Sequence, residues 1–316
     1  MKRALLIGVD DYANFPALAG CVNDVQAIEP LLARNEDGTV NFNCQVRIAP
    51  GVVSRDALIR DVQALVGPGA DVALLYFAGH GAGEGNDVAL CTYDGTSMTP
   101  GLPLSQILGY VQSSSVREVI IVLDCCFSGA AGSVPQLGPD LAVLRNGVTM
   151  LAASRGDQTS AETATGRGLF STYLGGGLEG GAADVMGKVT MAGLYAYLDE
   201  SFGAWDQRPV LRANVDRLHE LRRCAAAVPL EHLQQLPKHF IGPHYEMPLD
   251  PSYEPLADPH HPEHEKDFAL LQACRAAKLV EPVDAEHMYF AAVQNRACRL
   301  TPLGRHYRAM VEQGLL

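Results

Sequence analysis

Positive charge is scarce in this sequence. Its 316 residues hold 24 Lys and Arg against 36 Asp and Glu, a net charge of −12. Non-specific nucleic-acid binding needs a basic face to meet phosphates, so no nucleic-acid partner is expected. Long apolar runs are missing from the start of the chain. Residues 4–9 form the longest early one, too short for a signal-peptide core or a membrane span, and Asp10-Asp11 closes it. No membrane partner is expected either. The eight cysteines include no C-x-x-C pair at zinc spacing, so no metal and no cofactor is expected. Scattered thiols in an unsecreted chain of this size predict a reduced, cytoplasmic protein. No internal repeat is present. What remains is 47% apolar content, enough for one large core or one large and one small, and 31 glycines, which suit tight strand-to-helix turns.

Hydrophobic periodicity predicts strands over residues 2–9, 44–48, 72–78, 119–124 and 148–154, with an edge strand over 208–212. Helices are predicted over 23–34 (Asn23 or Asp24 as cap), 54–66 (Ser54 as cap), 104–112, 170–179 and 191–202. Near-continuous apolar strands alternating with helices point to an α/β protein with a mainly parallel sheet sandwiched by helices. The stretches 129–146 and 155–168 lack periodicity and are expected as loops over the carboxyl ends of the strands.

Two segments carry chemistry. Tyr76-Phe77-Ala78-Gly79-His80-Gly81 ends an apolar run in a histidine that the flanking glycines place on a tight turn. Asp124-Cys125-Cys126-Phe127-Ser128-Gly129 ends another in a cysteine. Ligands and chemistry collect at the carboxyl ends of parallel strands, so these runs, side by side, would hold an imidazole and a thiol across one crevice. A thiolate attacking a carbonyl, with a histidine managing protons, needs that pair. Adjacent strand residues point to opposite faces, so Cys125 and Cys126 cannot both be nucleophiles.

These motifs resemble the caspase-type cysteine peptidases, closest to metacaspases and paracaspases, over about residues 1–215. The metacaspase pattern of Asp, any residue, then the nucleophile places the nucleophile at Cys126, leaving Cys125 to the core. Phe127 stands where that pattern has histidine. The resemblance implies His80 as the proton handler and the amides of Gly81 and Cys126 as the oxyanion site. It implies a substrate pocket for Arg, less well Lys, floored by Asp124. Asp24, in Cys21-Val22-Asn23-Asp24, is its second carboxylate and Glu162 a third, with Ser154 at the end of its strand completing the set. Two or three carboxylates suit a bidentate guanidinium. The alternative for Asp24 is a helix cap. Asp87 and Asp94 do not make up the oxygen set that calcium needs, and no calcium site is expected.

The implied partners are proteins or peptides with Arg or Lys before the cut. An arginine peptidase needs a gate, and Arg145, Arg155 and Arg167 are candidate activating cuts, made in cis or by an upstream protease. Caspase-like proteins of bacterial type serve in antiphage defence and regulated cell death, sometimes downstream of CRISPR signalling, and the resemblance implies a similar place here. Domain boundaries are expected at 1–216 for the peptidase, 217–264 for a Pro/His-rich linker or arm, and 265–316 for a small helical unit. That last unit holds a helix over 265–278, a possible hairpin of 279–283 with 297–301, and a helix over 303–313, and it resembles a winged helix. From Asp216 onward 11 basic residues face 14 acidic ones, so docking or packing is expected there rather than DNA reading. The competing functions are a catalytically silent caspase-shaped interaction module and a DNA-binding regulator.

Overall fold

The computed structural model describes residues 1–49, 51–84, 87–128, 144–153, 166–203 and 209–316. The chain opens with β1 (Lys2–Gly8), α1 (Cys21–Ala33), β2 (Asn43–Arg47), α2 (Arg55–Leu65) and β3 (Val72–Glu84). Two short strands, β4 (Asp87–Cys91) and β5 (Gly101–Pro103), precede α3 (Leu104–Ser113), β6 (Glu118–Ser128) and β7 (Val148–Ala152). Then come α4 (Leu169–Gly176), β8 (Lys188–Thr190), α5 (Met191–Ser201), β9 (Val210–Asn214) and β10 (Glu220–Arg223). The central sheet runs β2-β1-β3-β6-β7-β9, with β4 on β3 and β5 on β4. The pairs from β2 through β7 are parallel, and β9 joins β7 antiparallel as the edge.

Alternation along the strands builds two cores. Ala73, Leu75 and Phe77 of β3 pack in one core with Leu58 and Val62 of α2 and Ile107 and Val111 of α3. Leu74, Tyr76 and Ala78 pack in the other with Val25 and Ile28 of α1, Phe170 and Leu174 of α4, and Leu194 and Leu198 of α5. Both faces of the sheet are therefore covered, which is why its inner strands read as unbroken apolar runs.

Three local expectations change. Neither Asn23 nor Asp24 caps α1: the Asp10 carboxylate, just past β1, accepts from the backbone amides of Cys21 (2.8 Å) and Val22 (3.3 Å), while Asp24 is buried within the helix. The carboxylate at the end of a strand thus closes the next helix, whereas Ser54 does cap α2, accepting from the Ala57 amide at 3.3 Å. Second, His80 is not on a tight turn. The histidine strand continues to Glu84, because β4 takes over the edge of β3 that β1 leaves after Ala78. Third, Gly79 is there for clearance: a Cβ at that position would lie 2.7 Å from Tyr12 Oη and 2.9 Å from Phe77 Cζ.

The chain divides into two compact units, Met1–Ala183 with Lys188–Cys224, and Asp184–Gly187 with Ala225–Leu316. The second unit holds α6 (Leu230–Leu233), α7 (Leu236–His239), β11 (Glu246–Pro248), α8 (Pro262–Ala276), β12 (Val280–Val283), α9 (Met288–Val293), β13 (Ala297–Leu300) and α10 (Pro302–Glu312). Its sheet is antiparallel, in the order β11-β13-β12. The stretch read as a linker over 217–264 is packed rather than extended. Leu233, Leu236, Phe240, Met247 and Leu249 from it join Phe268, Leu271 and Leu300 in one core. Its prolines and histidines mask a wide apolar spacing. Among the described residues no helix is long and apolar enough to cross a membrane.

Replacing Gly79 by alanine forces Tyr12 or the strand aside. Overpacking of this kind costs about 1–3 kcal/mol, and a urea midpoint lower than wild type is the expected result.

Candidate active site

The site starts from the register of β3 and β6. Ala78 lies opposite Asp124, His80 opposite Cys126, and Gly81 opposite Phe127. Backbone pairing alone thus brings the histidine and the cysteine of the two motifs onto neighbouring strands. Cys125 is buried in the first core.

The loop of residues 9–20 fixes the imidazole. Val9 continues the ladder past β1, its amide donating to Ala78 O at 3.0 Å. Tyr12 Oη accepts from the His80 backbone amide at 2.8 Å, and the two rings lie 4.9 Å apart. Phe15 adds a second ring, 6.4 Å from His80. His80 Nε2 is 2.9 Å from the Pro16 carbonyl oxygen. A carbonyl only accepts, so Nε2 carries the hydrogen and the lone pair of the neutral ring sits on Nδ1. Burial raises the Tyr12 phenol pKa far above its usual value, so this hydroxyl keeps its proton.

Beside this pair lie two carboxylates almost without solvent: Asp24 on α1 is 2% exposed and Asp124 on β6 is 5% exposed. The entry to α4 holds them both. The Gly168 amide reaches both oxygens of Asp24 at 3.2 Å, and Arg167 Nε reaches Oδ1 at 3.3 Å. Arg167 is itself held by its Nη2, which donates to Ser171 O at 2.9 Å. Ser171 Oγ donates to Asp124 Oδ2, and the Tyr76 hydroxyl lies 2.6 Å from Ser171 Oγ. Burial, and then the charge of Asp124, push the Asp24 pKa up to about 7; the Gly168 amide and Arg167 oppose that rise.

The structure thus brings together His80, Gly81 and the Cys126 backbone on one strand pair, and Asp24 with Asp124 in one buried electrostatic neighbourhood. Two of the candidate cut sites have structural partners. Arg145 is tied to the end of α3, donating to the Val111, Asn146 and Val116 carbonyls and to Ser114 Oγ. Arg167 faces Asp24. Ser154, Arg155 and Glu162 lie outside the described residues. Asp87 accepts from the Ser105 amide at the start of α3, and Asp94 from the Arg55 amide at the start of α2. Among the described residues no cluster of three His, Cys, Asp or Glu is placed to hold a metal.

Tyr12, Pro16, Gly168, Tyr76 and Ser171 escape a reading of the sequence. Pro16 and Gly168 act through backbone atoms, which any residue would supply. A hydroxyl such as Ser171 in the apolar run LFSTYL was a usable signal, because a buried hydroxyl needs a partner.

A family model described as the caspase domain matches residues 1–209. Metacaspase-3 of Trypanosoma cruzi is 28% identical over 217 residues, spanning 57% of this chain and 59% of its own length. Metacaspase-1 of Yarrowia lipolytica is 25% identical over 209 residues, spanning 60% of this chain and 43% of its own length. The chain thus spans less than two thirds of either relative. Among solved structures, protein GSU0716 from Geobacter sulfurreducens superposes with a TM-score of 0.53 at 15% identity, over 71% of this chain and 99% of its own. Caspase-1 from Spodoptera frugiperda does so at 0.51 and 12% identity, over 71% and 90%. These two likenesses establish the fold.

The raised pKa of Asp24 has a measurable sign. Between about pH 4 and 7 the folded state holds a proton that the unfolded chain has released, so stability contributed by this group falls as pH rises through that window. Asp24→Asn removes the titration. Urea midpoints of wild type minus variant should therefore decline from pH 4 to 7, and a flat difference would show Asp24 ionised throughout.

Proposed function

This chain belongs to the caspase-domain family of cysteine peptidases, and on that premise we propose that it is an endopeptidase cutting proteins after Arg, less well after Lys, with Cys126 as nucleophile. The observation that carries the reading is the pairing of His80 with Cys126 on adjacent parallel strands, with Nε2–H engaged by Pro16 O.

His80 Nδ1 takes the proton of the Cys126 thiol, and the thiolate sulfur adds to the scissile carbonyl carbon. The amides of Gly81 and Cys126 stabilise the oxyanion as it forms. Protonated His80 then gives its proton to the leaving amine as the C–N bond breaks, leaving a thioester. A water, deprotonated by the same nitrogen, hydrolyses the thioester to a carboxylic acid and restores the thiol. Throughout, the Pro16 carbonyl supports the ring by accepting from Nε2–H, a contact that strengthens when the ring is cationic.

The substrate side chain is read by Asp124 and Asp24, with Glu162 and Ser154 as further members of the pocket. A guanidinium offers a planar fork to two carboxylates, whereas an ammonium is a single point of charge. The protein acts as a gated effector in bacterial defence or cell death, a reading supported by the resemblance. Arg145, Arg155 and Arg167 are the proposed activating cuts, and Arg145 and Arg167 would first have to leave their hydrogen bonds. The second unit serves for docking.

Fluorogenic peptides ending in Arg, Lys or Asp test this directly. Arg turnover should exceed Lys turnover, Asp should be inert, and Cys126→Ala should abolish all of it. Asp124→Ala should lower kcat/KM for Arg by about 100-fold or more, the scale of losing a charge-assisted pair, while Cys126 stays alkylable by iodoacetamide. Asp-directed turnover by wild type, or undiminished Arg turnover by Asp124→Ala, would refute the pocket.

A further inference from the structure

Behind the acid pair runs a line of three buried polar groups, two of which have no place in the chemistry above. Tyr76 and Ser171 are each 0% exposed and Asp124 is 5% exposed. Their hydrogen bonds have one direction. An ionised carboxylate only accepts, so Ser171 Oγ donates to Asp124 Oδ2. With its hydrogen committed there, Ser171 accepts from Tyr76 Oη at 2.6 Å. Burial, with the charges of Asp124 and Asp24, holds the Tyr76 phenol well above its usual pKa, so the first donor of the line is permanent.

Packing alone requires neither hydroxyl. Tyr76 stands in the apolar core with Leu74 and Ala78, and Ser171 follows Phe170 and precedes Leu174 in the same core. Phenylalanine and alanine would fill these places as apolar side chains, at the cost of the donor to Asp124 Oδ2. Donors in series polarise one another, and they favour the charged form of the acceptor at the end. The position of Ser171 is also specific. It lies four residues after Arg167, whose Nη2 donates to its carbonyl, so one helix entry sets Asp24 and Asp124 at the same time.

We infer that Ser171, backed by Tyr76, is a specificity-determining positioning residue that fixes the rotamer and the ionised state of Asp124, so that this carboxylate meets a substrate guanidinium in one geometry. The inference rests on the proposed role of Asp124 as acceptor of the substrate cation. Ser171 and Tyr76 act through Asp124 rather than on the reacting atoms, so their effect belongs to substrate binding and to the choice of Arg over Lys.

The test compares full-length wild type, Ser171→Ala and Tyr76→Phe on peptidyl-Arg and peptidyl-Lys coumarin amides. KM for the Arg peptide should rise about 10- to 100-fold in Ser171→Ala, the scale of a lost hydrogen bond to a charged group. In Tyr76→Phe, which removes only the donor behind it, the rise should be about 3- to 10-fold. In both, kcat should stay within about twofold, and the Arg/Lys preference should narrow because the bidentate contact depends most on rotamer. The rate of Cys126 alkylation by iodoacetamide, located by mass spectrometry, should match wild type. KM unmoved in both variants overturns the inference. So does a loss shared equally by kcat and KM with slowed alkylation, which would mark a general structural role. Either result leaves the arginine reading standing. Wild type without preference for Arg or Lys would overturn that reading and this inference with it. If Ser171→Ala does not fold, the near-isosteric Tyr76→Phe decides.

Discussion

The parallel pairing of β3 with β6, eleven residues long and covered on both faces, is the constraint on which everything else rests. Parallel ladders have evenly spaced bonds, so position along one strand dictates position along its neighbour. A slip of one residue would set His80 opposite Cys125 or Phe127, and would exchange the faces to which Leu123 and Asp124 point. The two different cores forbid it. Leu75, Phe77, Leu123 and Cys125 belong to one, and Tyr76, Ala78 and Val122 to the other. The relation between histidine and cysteine is therefore set by hydrophobic burial along the strands rather than by the two reactive side chains.

Two further elements refine what the strands place. The loop of residues 9–20 grips His80 twice, at the backbone through Tyr12 and at the ring through Pro16. The entry to α4 grips both acids, through Arg167, Gly168 and Ser171. Buried carboxylates in mutual repulsion would otherwise take up protons, as the raised pKa of Asp24 records. Backbone amide, guanidinium and hydroxyl each oppose that tendency. The pocket's charge is thus a balance between burial and the donors that a single helix start supplies.

The strand cores and the two motif ends could be read from the sequence, because both faces of the sheet are covered and the apolar runs are uninterrupted. Cys125 could be separated from Cys126 by resemblance to a known pattern, and its burial agrees with the core role assigned to it. Strands β4 and β5 were not legible: the three residues of β5 are too short a pattern, and β4 follows β3 after only two intervening residues. The cap of α1 escaped because Asp10 acts across ten residues of intervening loop. Arg167 was legible as an arginine in a loop but not as the partner of Asp24, a contact 143 residues distant in sequence. The packing of residues 229–262 was hidden by composition. Its prolines and histidines suggested an extended arm, yet Leu233, Leu236, Phe240 and Leu249 are spaced widely enough to pin it down.

Gly79 and Tyr12 form a lock with one half inside β3 and the other in the loop after β1, with 2.7 Å between Tyr12 Oη and the place a Cβ at residue 79 would fill. Neither half can be exchanged alone. Larger residues at 79 exclude the phenol, and a loop without the phenol leaves the His80 amide without its acceptor. For anyone grafting loops between scaffolds of this kind, the segment after β1 and the glycine before the histidine travel as one cassette. Drift at either position in evolution would be visible as paired substitution, with the hydroxyl and the missing side chain gained or lost together.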